Sequence, residues 1–217
     1  ELGDELHRRG ELVAPVVVGQ LLPIVRRMAD DGVTVVLVEQ SVNVALTVAE
    51  RAYFMERGTI MFDGPTKELL ERPDLLRSVF LSAAAPSADG AHEPERPATD
   101  RTAQPVLSVQ DLSVSFGGIR AVDQTTFDIW PGEIVGMIGP NGAGKTTVFD
   151  LVSGFTPSSA GTIRLNGRDI TTMSAAGRAE LGLGRSFQDA RLFPELTVEE
   201  TLAIAQERFV GSRSVVV

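Results

Sequence analysis

With 217 residues, 43% of them hydrophobic, the chain has material for one large domain or two small ones with a real core. No apolar run approaches the roughly 18 residues that span a bilayer, and the start lacks a basic region followed by an apolar stretch, so any membrane role is expected to be peripheral and the location cytoplasmic. Cysteine is absent, which excludes disulfides and thiol chemistry, and 29 acidic against 20 basic residues give a net charge of −9 that argues against nucleic-acid binding.

Taken in chain order, Pro15 is suited to the first turn of a helix carrying Val17, Leu21, Val25 and Met28 at helical spacing, with a kink expected at Pro23 and an end near Asp30, Asp31 and Gly32. The β-branched run Val33 to Glu39 reads as a strand buried on both faces of a parallel sheet. A helix over Val42 to Glu50 follows, then short strands at Ala52 to Met55 and Thr59 to Phe62 around Arg57-Gly58. Helices are expected over Thr66 to Arg72 and Pro73 to Phe80.

Residues 82–105, SAAAPSADGAHEPERPATDRTAQP, hold no large apolar side chain and read as a flexible linker. They separate an N-terminal segment, 1–81, from a C-terminal segment, 106–217. The second segment opens with strands at Val106 to Phe116 and Ala121 to Ile129 and the turn Trp130-Pro131-Gly132. A short buried strand, Glu133 to Ile138, precedes a glycine-rich loop and a helix reaching Ser153. The strand TIRLNG, 162–167, and helices near Ser174 to Leu181 and Val198 to Gln206 complete an α/β alternation.

Gly139-Pro140-Asn141-Gly142-Ala143-Gly144-Lys145-Thr146 satisfies the pattern G-x-x-x-x-G-K-S/T between a strand and a helix. Glycines at 139, 142 and 144 let the backbone approach an anion and turn amides inward, and the following helix offers the positive end of its dipole. Lys145 supplies a compact ammonium for β and γ phosphates, and Thr146 a hydroxyl for Mg²⁺. Among 20 basic residues only Lys67 and Lys145 are lysine, so lysine at this position looks required. Asn141, Gly142, Ala143, Gly144, Lys145, Thr146 and Thr147 are the expected phosphate-binding positions.

The longer string GEIVGMIGPNGAGKTTVFDLVSGFTPSSAGTIRLNGRDIT resembles the ABC ATPase family, and within it the branched-chain amino acid importers. The resemblance, which runs from about Val106 to Arg208, implies ATP and Mg²⁺ as ligands. It matches Phe116 to the aromatic that stacks on adenine, against the plainer alternative of a core phenylalanine. It matches Gln188, in GRSFQDARLFPELTV, to the glutamine that senses Mg²⁺ and nucleotide beside the membrane subunit.

Residues 12–81 resemble the C-terminal part of the same ATPase, with Gln40 where most of the family has a switch histidine; an amide there hydrogen-bonds the γ phosphate but is neither acid nor base. Asp4 and Glu5 fall near the Walker B carboxylates, one holding Mg²⁺ through water and the other orienting the attacking water. The alternative for both is a frayed terminus.

The resemblance thus implies an α/β P-loop NTPase core of the ABC ATPase kind. Its mostly parallel sheet is joined by an antiparallel β subdomain; the reversed order of the two segments allows a permuted core, and the helical signature subdomain is absent. Implied partners are a transmembrane permease subunit and a second ATPase domain as dimer partner. A non-catalytic nucleotide-binding module is the competing expectation. If the two segments fold together, their strands share one sheet with Gln40 beside Lys145.

Overall fold

The computed structural model describes residues 22–39, 48–72, 74–76, 101–186 and 195–207. The N-terminal segment contributes helix α1 over 22–30, strands β1 (Val35–Glu39), β2 (Arg51–Glu56) and β3 (Thr59–Pro65), helix α2 (Thr66–Leu70) and a helical turn at 74–76. The C-terminal segment contributes β4 (Leu107–Phe116), β5 (Ile119–Ile129), β6 (Ile134–Ile138) and helix α3 (Lys145–Ser153). These are followed by β7 (Ala160–Leu165), β8 (Arg168–Asp169), α4 (Ala175–Glu180) and α5 (Val198–Glu207).

Two four-stranded sheets result, as expected: one mostly parallel, of order β1-β6-β2-β3, and one antiparallel, of order β5-β4-β7-β8. β6 lies parallel to both β1 and β2, so strands of the two segments share one sheet. All five residues of β6 are buried because it has a hydrogen-bonded neighbour on each side. β1 has β6 as its only partner among the described residues. Its central residues are therefore half-buried rather than fully buried, although apolar side chains cover both faces.

Alternation along the strands sorts the core. Tyr53 and Met55 of β2, with Val135 and Met137 of β6, join the main cluster under the antiparallel sheet, together with Val148, Leu151 and Val152 of α3. Ala52, Phe54 and Ile138 point the other way, onto Leu69, Leu75 and Leu76. α1 covers Val35 and Leu37 with Leu22, Val25 and Ala29. Met28, expected on the packed face, is exposed, because that face runs through Leu22 and Ala29 instead.

Arg51 fastens the two segments. Its guanidinium forms a bidentate pair with Asp63 (2.6 and 2.6 Å), donates to Asp128 O (3.0 Å) and lies 3.7 Å from Glu133. It also faces the rings of Tyr53 and Trp130, while the Tyr53 hydroxyl donates to Asp128 O at 2.7 Å. Burial opposes the charge on Arg51, and the hydrogen bond to Asp63 with the surrounding charges outweighs it, so the pKa stands above its ordinary value.

Some expected bounds shift. The strand expected over 162–167 ends at Leu165, and Asn166 and Gly167, both at positive φ, turn it into the hairpin partner β8. The strand expected from Val33 begins at Val35. The stretches expected as helix at 15–21, 42–47 and 77–80, and residues 82–100 of the linker, lie outside the described residues.

Candidate functional site

β6 delivers the chain into the loop, and α3 carries it away from Lys145. The amides of Gly144, Lys145, Thr146 and Thr147 are those that a helix start leaves without intrahelical acceptors, the first bond of α3 being Val148 N–H to Gly144 O at 2.9 Å. They carry the positive end of the helix dipole. Lys145 is 8% exposed, and its Nζ reaches across the loop to Gly139 O (2.6 Å) and Pro140 O (2.9 Å). The ammonium and the amides thus converge at one end of α3, an arrangement suited to an anion with several charges.

The three glycines have different physical causes. Gly142 sits at φ +79 with open space where a Cβ would be, so only its backbone conformation requires glycine. Gly139 is glycine because a Cβ would overlap Met55 O at the end of β2. Gly144, at φ +98, would place a Cβ 2.5 Å from Ala121 O of β5. Sequence reasoning assigned all three to anion approach; two of them also let other strands press against the loop.

Thr146 is exposed at the first turn of α3, and Ala143 is buried beneath the loop. Among the described residues no three His, Cys, Asp or Glu are grouped to hold a metal. A Mg²⁺ ion here would have to take most of its ligands from phosphate oxygens, and the exposed Thr146 hydroxyl would be available as one more. Phe116 is 50% exposed at the end of β4, with Ile119 exposed just across the turn, so it is not a core phenylalanine.

Gln40, Gln188, Asp4 and Glu5 lie outside the described residues. Glu39, just before Gln40, pairs in register with Ile138, just before Gly139. Arg185, three residues before Gln188, is bound to Asp150 of α3 at 2.6 Å and stacks 5.4 Å from the Phe155 ring.

Two residues escaped the sequence reading. Arg178 of α4 is buried and caps the far end of α3, donating to Leu151 O (2.6 Å) and Val152 O (2.7 Å). Gly58, in the turn between β2 and β3, donates to Ala143 O at 2.8 Å. The only sequence signal for Gly58 was the Arg57-Gly58 turn itself.

Residues 122–214 match the family model for the ABC transporter. The chain is 46% identical over 105 residues to the high-affinity branched-chain amino acid transport ATP-binding protein LivG of Escherichia coli, covering 48% of this chain and 41% of that protein. It is 42% identical over 109 residues to the BraF protein of the same description from Pseudomonas aeruginosa, covering 50% and 43%. The chain thus spans about two fifths of the curated relatives it matches. A solved ATP-binding subunit of an ABC transporter shares 31% identity over 50% of this chain and 44% of its own, with a TM-score of 0.43. No described helix is long and apolar enough to cross a membrane. By the family model and these relatives, residues 122–214 are similar to an ABC transporter ATP-binding domain over part of its length.

Proposed function

We propose that the chain is an ATP-binding component of an ABC importer, coupling ATP binding and hydrolysis to uptake of a small solute, with branched-chain amino acids the favoured class. The carrying observation is the convergence of Lys145 and the four amides of the α3 start on one loop. The partial similarity to proteins described as branched-chain amino acid transport components supports the solute class.

In this reading Lys145 holds the β and γ phosphates, the amides of the loop orient them, and Phe116 stacks on adenine. Bound Mg²⁺ neutralises phosphate charge, with Thr146 as its ligand and Gln188 and Asp4 as further candidates. Gln40 hydrogen-bonds the γ phosphate, and Glu5 orients water. Residues 1–81 act as the C-terminal part of one ATPase domain and 106–217 as the N-terminal part of another, joined by the linker 82–105. The shared sheet supports this arrangement. A permease and a second ATPase domain are the partners, at the cytoplasmic face of a membrane.

Calorimetry with MgATP tests the reading. Wild type binds, and Lys145→Ala lowers affinity by about 10- to 100-fold, the loss expected for charge-assisted hydrogen bonds. Equal affinity in the two proteins overturns it. Phosphate release in the same samples is expected to be negligible for the chain alone; strong turnover abolished by Lys145→Ala overturns that expectation.

A further inference from the structure

The turn between β2 and β3 belongs to the N-terminal segment, yet it is wedged between the phosphate loop and the antiparallel sheet. Gly58 is buried at its tip, at φ +83. Its N–H donates to Ala143 O at 2.8 Å, and its own carbonyl accepts from Asp123 N (2.9 Å) and from Thr125 Oγ1 (2.8 Å). Thr125 is 2% exposed, so water does not compete for that bond. A Cβ on Gly58 would lie 2.8 Å from Ala121 O, and a Cβ on Gly144 would lie 2.5 Å from the same oxygen. Gly58, Ala121 and Gly144 therefore pack backbone to backbone.

A trans peptide is planar, and its C=O and N–H point in opposite directions. Once Ala143 O is fixed on the Gly58 amide, the Gly144 N–H of the same peptide is aimed away from the turn. That N–H is the first of the four amides at the start of α3. We infer that Gly58 is a positioning residue for phosphate binding: by anchoring Ala143 O it sets the direction of the Gly144 amide. The bonds to Asp123 and Thr125 hold the anchor against β5. This role rests on the reading of the loop as a phosphate site and adds a determinant from the other segment of the chain.

The experiment uses the full chain and inorganic triphosphate as the probe, with adenosine and ATP for comparison. Gly58→Ala drives a methyl group into Ala121 O and displaces the anchor. Thr125→Val keeps the shape of its side chain and removes one of the two donors to Gly58 O. Affinity for triphosphate is expected to fall by about tenfold in Gly58→Ala and by a smaller factor in Thr125→Val. Adenosine affinity stays at the wild-type value. The Gly144 amide resonance in the free protein is expected to shift in both variants, a signature that loss of stability alone does not produce.

Triphosphate affinity unchanged in both variants, or a parallel loss for adenosine, overturns the inference. Should Gly58→Ala not fold, Thr125→Val and its Gly144 resonance decide. Lys145→Ala separates the two levels. If it fails to weaken triphosphate binding, the phosphate-site reading falls and this role with it. If it weakens binding while the Gly58 and Thr125 variants do not, only the positioning role falls.

Discussion

Replacing Arg178 by methionine should destabilise the fold by about 3 kcal/mol, and the figure follows from its surroundings. The residue is 2% exposed and donates four hydrogen bonds to backbone carbonyls: Leu151 O and Val152 O of α3, Met173 O, and Thr171 O. Bonds to a charged group contribute a net of about 1.5–3 kcal/mol each, so loss of the two at the end of α3 alone amounts to at least about 3 kcal/mol. Burial works against the guanidinium's charge and lowers its pKa. Methionine keeps the apolar stem but takes the donor from Val152 O and leaves Leu151 O with only the 3.2 Å bond from Gly154 N, at the negative end of the helix dipole. For a chain of this size a loss of about 3 kcal/mol lowers the melting temperature by roughly 6–12 °C. Arg178→Lys, with a point charge that cannot span four carbonyls, should lose about half as much. Urea denaturation of the three proteins checks this, and a loss below about 1 kcal/mol for Arg178→Met refutes the accounting.

Two further expectations test the loop and the last described helix. Gly142→Ala should cost only the left-handed strain of about 1–2 kcal/mol, whereas Gly139→Ala, driven into Met55 O, should cost about 3 kcal/mol; equal losses on urea denaturation contradict the packing explanation. Glu200 accepts from the Thr197 amide and hydroxyl, both at 2.8 Å. The amide bond and then the hydroxyl bond hold its pKa below the ordinary 4.5. Because the folded value is the lower one, this contribution to α5 is complete above pH 4.5 and is lost as pH falls through the folded pKa. An NMR titration of the Glu200 carboxyl should find a midpoint below 4.5 that returns toward it in Thr197→Ala; a midpoint unmoved by that substitution rejects the capping role.

The sequence by itself determined the strand, loop and helix around Gly139 to Thr147 and the short apolar runs that make β2 and β6 buried strands. Both are local: the loop pattern and the apolar runs are written in neighbouring residues. It also supplied the expectation that strands of the two segments share a sheet, which the pairing of β6 with β1 and β2 bears out. Only the tertiary structure decided why two of the loop's glycines are glycine, since the carbonyls that exclude a side chain there belong to Met55 and Ala121. It alone brought Gly58 to Ala143 and Arg178 to the end of α3, because such partners are chosen by how elements pack. No local pattern marks a buried arginine as a helix cap. The loop was legible because its chemistry is local, and what holds it in shape was not, because those contacts come from the other segment and from β5.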